Sequence, residues 1–226
     1  AHPDDVEICC FSTLARCVER GDSVVVCAVT NGNQGHTEIE PERLRMIRMA
    51  EGARSAQVIG ASYSTLDVDD MTLDASDAQV RLRMTEMIRS VKPDVVITHD
   101  PNDYHPDHVE TSKLVFHCMV MANLVHVKTQ SEPLAHPFMV YYMDMVGGGL
   151  FVPTEYVDVT QTFERKIEAL SCHVSQVDYL RRSTGLHVIH ATEVLAEYRG
   201  LQCGCRYAEG FRACDKRAVP PYRLLP

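Results

Sequence analysis

The chain has 226 residues, 45% of them apolar, which is enough to bury an ordinary globular core. Its net charge of −9 argues against a nucleic-acid partner, which needs a positive footprint, and no apolar run approaches the roughly 20 residues that cross a bilayer. Nine cysteines without a Cys-x-x-Cys pair read as mostly buried thiols in a reducing compartment, so the expectation is a cytoplasmic protein with no nucleic-acid or membrane partner.

The chain opens Ala1-His2-Pro3-Asp4-Asp5, and from Val6 to Arg20 apolar residues recur at helical spacing until Gly21-Asp22 stops them. Ser23 to Thr30 is a β-branched run of the kind buried on both faces of a parallel sheet. It empties into the turn-rich stretch Asn31-Gly32-Asn33-Gln34-Gly35-His36, at the strand end where open α/β sheets bind ligands. Pro41 to Ile59 reads as a helix, with Arg43, Arg45 and Arg48 spaced beside acids as on a solvated face. Tyr63 to Val68 reads as a strand, and the acidic stretch after it lacks the pattern of a calcium loop, so Asp67, Asp69 and Asp70 read as solvated. Asp77 to Val91 is a helix, Val95 to Thr98 a buried strand, and about Val109 to Val125 a further helix. Phe138 to Met143 and Tyr156 to Val159 read as strands, Gln161 to Cys172 and Thr192 to Phe211 as helices, and 214–226 as a Pro-rich C-terminal tail.

This alternation predicts an α/β fold: a Rossmann-like, open, mostly parallel sheet with helices on both faces, in a single domain over 1–226. In such a fold His2 belongs at the tip of a first strand, so an N-terminal strand before Ala1 is expected to be missing from this numbering.

His2 and Asp5 lie three apart at a strand-to-helix junction, and His105 and His108 lie three apart at a helix start with Pro106 at its first position. The set His2, Asp5 and His108 gives two histidines and one carboxylate, the number of protein ligands a catalytic metal site such as that of zinc takes. Asp4 and His105 stand beside that set, one to accept a proton and one to steady an oxyanion or protonate a leaving amine, with Asp107 to orient His105. The amides of Asn31, Asn33 and Gln34 face the same end and can bind sugar hydroxyls, although turn formation alone explains the asparagines. His99 reads as a structural histidine, Arg199 as a helix-face charge, and His173, Ser175 and Gln176 as packing groups.

The stretches Ala1-His2-Pro3-Asp4-Asp5-Val6-Glu7, Thr30-Asn31-Gly32-Asn33-Gln34-Gly35 and Pro101-Asn102-Asp103-Tyr104-His105-Pro106-Asp107-His108 resemble the LmbE/PIG-L family of zinc-dependent N-acetyl-sugar deacetylases. His173-Val174-Ser175-Gln176, Tyr198-Arg199-Gly200-Leu201-Gln202 and Tyr207-Ala208-Glu209-Gly210-Phe211 extend the resemblance over nearly the whole chain. It implies one Zn²⁺ per chain held by His2, Asp5 and His108, Asp4 as general base, and His105 stabilising the transition state with Asp107 behind it. It also implies an N-acetylglucosamine-containing small molecule or conjugate as substrate and, by analogy alone, a homo-oligomer. Cys10-Phe11-Ser12 replaces the family's small glycine-rich residues, and Asp103 stands where some members place a tyrosine, so Tyr104, one position off, inherits no role. The alternatives are a metal-dependent hydrolase of another amide or ester, and a nucleotide-binding module, whose Gly-x-Gly-x-x-Gly turn is absent.

Overall fold

In the computed structural model, which describes residues 1–145, 149–216 and 224–226, the alternation becomes a layered α/β fold. β1 (Val25–Thr30) and β2 (Ser62–Val68) pair in parallel, joined by α3 (Pro41–Gln57). A second sheet runs in the order β3 (Val95–Thr98), β4 (Met139–Met143), β6 (Ala208–Ala213), β5 (Glu155–Asp158). β3 and β4 are parallel and are separated by α5 (Pro106–Met121), whereas β6 runs antiparallel to both β4 and β5. The expected parallel arrangement therefore holds for the half that carries the two histidine motifs, and the far half of the sheet is antiparallel.

Strand β4 shows why helices cover both faces. Val140 and Tyr142 join a core with Leu114, Val115 and Met119 of α5 and with Met84 and Ile88 of α4 (Ala78–Val91). Tyr141 and Met143 enter a second core with Phe163 and Leu170 of α6 (Phe163–Ser171) and Ala196 of α8 (Val188–Cys203). Successive side chains of a strand point to opposite faces, so a continuous apolar strand needs a helical layer on each.

Three elements differ from the sequence reading. The first helix is two, α1 (Asp5–Cys9) and α2 (Phe11–Arg20), broken at Cys10 with φ −147° and ψ 9°. The break is held by a buried carboxylate: Glu209 accepts from the Ser12 and Thr13 N–H groups at 3.1 and 2.7 Å and from Lys166 Nζ at 2.6 Å. The helix expected over Thr192 to Phe211 is α8, stopped by left-handed Gly204, followed by strand β6, whose pairing on both edges overrides local pattern. A short helix, α7 (Val174–Thr184), lies where none was read. Of the expected tail, 217–223 lies outside the described residues, and Leu225 is buried against the second core.

Between the two sheets, the Ala1 carbonyl accepts from Thr30 N–H at 3.0 Å, which sets the opening motif at the carboxyl end of β1. The loops after β1, β2 and β3 meet there.

Candidate active site

Asp5, in the first turn of α1, is the centre of the cluster. Its Oδ2 lies 3.3 Å from His2 Nδ1 and 3.3 Å from His99 Nε2, and its Oδ1 lies 3.3 Å from His108 Nε2. Burial, the largest influence on this carboxyl, pushes its pKa up, and the imidazoles of His108 and His99 are among the groups that pull it well below the usual range. Of the sequence-derived ligand set, His2 and His108 each lie against Asp5, but the close donor groups join Asp5 to His99 and His108 and join His2 to other residues, so His99, read as structural, stands in the cluster. Its ring stacks on His108 with centroids 3.8 Å apart.

His2 and His108 each have a carboxylate behind the ring. His2 Nε2 is 3.0 Å from Asp107 Oδ2, and His108 Nδ1 is 3.0 Å from Asp103 Oδ1, so the opposite nitrogen of each ring is the one turned to Asp5. Such outer carboxylates fix ring orientation and raise basicity at metal sites. Burial acts against charge on His2, but Asp107 and Asp5 outweigh it and raise the pKa to about 9. Donor atoms of Asp5, His99 and His108 lie within 4.8 Å of one another, as do those of His2, His105 and His108 and those of His2, Asp70 and Asp107. Imidazole nitrogens and carboxylate oxygens packed this closely, buried or half-buried, fit a divalent cation.

Asp4 is turned away from this cluster by its backbone. At φ 124° it occupies a region that a non-glycine residue holds at a cost of about 1–3 kcal/mol, typical of functional sites. Its carboxylate lies 3.1 Å from an Arg48 guanidinium nitrogen. Burial raises the Asp4 pKa most, Arg48 partly offsets it, and neighbouring Asp5 pushes it up further. Arg48 is 3% exposed and also donates to the Pro3 and Gly32 carbonyls at 2.6 and 3.2 Å, which corrects its reading as a solvated charge. The signal was present: Arg48 falls four residues after fully buried Leu44, on the same helix face.

His105 caps α5, and its Nδ1 accepts from the Asp107 backbone N–H at 3.2 Å. A nitrogen that accepts carries no proton, so the neutral ring bears its hydrogen on Nε2. Burial lowers the His105 pKa, and the neighbouring His2 and His108 lower it further. Asp107 was expected to orient His105. Its carboxylate instead serves His2 and accepts from Met71 N–H at 2.9 Å, and only its main chain reaches His105.

The acidic loop after β2 is likewise built into the site. Asp70 is 5% exposed and accepts from Gly32 N–H at 2.9 Å and Gln34 N–H at 3.2 Å. Asp67 and Asp69 accept from the Asn31 amide at 3.1 and 2.9 Å, and Asn33 Oδ1 accepts from Asp70 N–H at 3.1 Å. Asn31 and Asn33 are therefore buried loop staples, whereas Gln34 is exposed. The second half of the chain braces the same loop: Gln176 donates to the Gly35 carbonyl, Ser175 bonds Glu51 of α3, and His173 Nε2 lies 3.5 Å from Glu7. Arg199 is buried, donating to Asp144 at 2.6 Å, which corrects its reading as a helix-face charge.

The PIG-L family model, described as GlcNAc-PI de-N-acetylase, matches residues 1–119. A diacetylchitobiose deacetylase of Thermococcus kodakarensis is 28% identical over 93% of this chain and 79% of its own. The structure of N,N′-diacetylchitobiose deacetylase from Pyrococcus horikoshii superposes with a TM-score of 0.82 at 26% identity, covering 94% of this chain and 80% of that one. The fold alone is shared with the 4-carboxy-2-hydroxymuconate hydratase GalB of Pseudomonas putida, at a TM-score of 0.84 and 21% identity over 99% of this chain and 97% of that one. The matched segment contains every histidine and carboxylate grouped around Asp5, and the chain belongs to the PIG-L family.

Proposed function

We propose that the chain is a zinc-dependent hydrolase that removes the N-acetyl group from an N-acetylglucosamine-containing small molecule or conjugate. The observation that carries this reading is the division of labour at Asp4 and Asp5: one carboxylate is surrounded by imidazoles, and the next is swung away onto Arg48. His2, Asp5 and His108 would hold one Zn²⁺. When bound, the ion supplies Lewis acidity, polarising the amide carbonyl and acidifying the water that attacks it. Asp4 takes the proton from that water and passes it to the departing amine, with Arg48 fixing the carboxylate. His105 donates from Nε2 to the carbonyl oxygen as negative charge develops there. Exposed Gln34 is the candidate contact for substrate hydroxyls, held at the rim by the Asn31 and Asn33 staples. The acyl-sugar substrate class rests on the relatives, which include the two diacetylchitobiose deacetylases. No described helix is long and apolar enough to cross a membrane, and nine unpaired cysteines suit a cytoplasmic setting.

The test is acetate release from N,N′-diacetylchitobiose and other N-acetylglucosamine conjugates, before and after chelation and zinc restoration. Asp4→Asn is expected to bind zinc at wild-type stoichiometry and to lose about 10²–10⁴-fold in kcat. Full activity in the metal-stripped protein, or in Asp4→Asn, would overturn the reading. Hydration of an unsaturated tricarboxylate without acetate release would favour the chemistry of the hydratase that shares the fold.

A further inference from the structure

Five of the nine cysteines, Cys9, Cys10, Cys17, Cys118 and Cys214, are buried, as apolar packing groups commonly are. Cys203 and Cys205 are different. Cys203 is the last residue of α8 and is exposed, Gly204 reverses the chain at φ 82°, and Cys205 follows at intermediate exposure. The reversal is fastened by two hydrogen bonds into one acceptor, from Gly204 N–H at 2.8 Å and Cys205 N–H at 3.0 Å to the Gly200 carbonyl. It leaves the two Sγ atoms 3.6 Å apart. A disulfide is about 2.05 Å long, so the gap is of the size a side-chain rotation closes. The existing contacts of the thiols are weak ones, from Cys203 Sγ to the Arg199 carbonyl at 3.4 Å and from Cys205 Sγ to the Tyr207 carbonyl at 3.2 Å.

We propose that Cys203-Gly204-Cys205 is a reversible dithiol modification site that closes to an intramolecular disulfide by exchange with a low-molecular-weight disulfide. Exposed Cys203 attacks first as its thiolate, forming a mixed disulfide and expelling one thiolate of the reagent. Cys205 then attacks Cys203 Sγ, the mixed disulfide breaks, and the second thiolate leaves. The two protons lost by the cysteines end on the two released thiols, the protein is oxidised by two electrons, and the reagent is reduced by two. Burial, the largest cause, raises the Cys205 thiol and persists once Cys203 carries the mixed disulfide, so the second step quickens as pH rises. The closed loop is too short to restrict the unfolded chain much, so the bridge is a modification and contributes little as a staple. Neither cysteine belongs to the cluster around Asp5, and the inference is independent of the proposed activity.

Trypsin provides a direct readout, because cleavage after Arg199 and Arg206 isolates residues 200–206, a peptide with these two cysteines and no other. The full chain is incubated in buffers of graded oxidised-to-reduced glutathione ratio, alkylated, digested and weighed. The expected product is that peptide lighter by two hydrogens, unalkylated, free of glutathione and restored by dithiothreitol. In Cys205→Ser the second step is lost, and glutathione is expected to persist on Cys203. A wild-type peptide that stays fully alkylated under oxidising ratios, retains glutathione, or appears bridged to another cysteine would overturn the proposal, and that result requires no variant to fold.

Discussion

Arg48, packed on Gly32, fixes the Asp4 carboxylate, the proposed base. Gly32 stands at φ 78°, and a Cβ there would come within 2.5 Å of the Arg48 side chain. Gly32→Ala is therefore expected to displace Arg48, to cost about 1–3 kcal/mol of stability, and to depress kcat while zinc content holds, as metal analysis beside a urea titration would show. His2 carries the second residue-scale prediction. With its pKa raised to about 9 by Asp107 and Asp5, it holds a proton at neutral pH in the metal-free protein. Zinc must displace that proton, so zinc affinity should rise as pH climbs toward 9 and weaken about tenfold for each unit of acidification below it. Competition titrations against a chelator from pH 6 to 9 measure that slope, and an affinity flat across the range would contradict it. In His2→Asn the contribution disappears.

At the scale of elements, the break between α1 and α2 is maintained by Glu209, which neutralises Lys166 and caps the second helix, both groups being about 2% exposed. Removing one partner of a buried pair leaves the other charge uncompensated. Glu209→Gln is expected to destabilise by about 3–5 kcal/mol in urea unfolding, and Lys166→Met in the same background should recover a substantial part. Equal losses in the single and double variants would show that the cap, and not the charge, dominates. This break was not legible in the sequence, because the run from Val6 to Arg20 has uninterrupted helical spacing and its partner lies about 200 residues away. The strands β1 and β3 were legible, since a β-branched run carries its own local signal. Strand β6 was not, because its identity comes from pairing with β4 and β5 and not from its composition. The site divides the same way. His2 with Asp5 and His105 with His108 declare themselves by spacing, whereas Arg48, Asp70 and His99 acquire their roles only when three loops fold together.

Across the whole molecule, the opening motif, the histidines and Asp107 after β3, and Asp70 after β2 come together, so the metal-free protein gathers several ionisable groups without their cation. Binding a cation to the native state alone stabilises it by mass action. Zinc held at 100 times its Kd should add about 2.7 kcal/mol to unfolding, and chelation should remove it, which calorimetry can follow as a reversible change in Tm. An unchanged Tm would mean that no native-state cation site exists. The attachment of Asp4 to α3 through Arg48 has a separate consequence for how this scaffold can diversify. Asp4, the proposed proton acceptor, is tied through Arg48 to a long helix and to main-chain carbonyls, while Gln34, Met71 and Tyr104 stand exposed on the surrounding loops. Rim and reaction machinery are thus mechanically separable. A library randomised at these three positions should yield proteins that differ in the amide they accept but share one metal content and one dependence on Asp4, a route by which a single hydrolytic core can be fitted to new substrates.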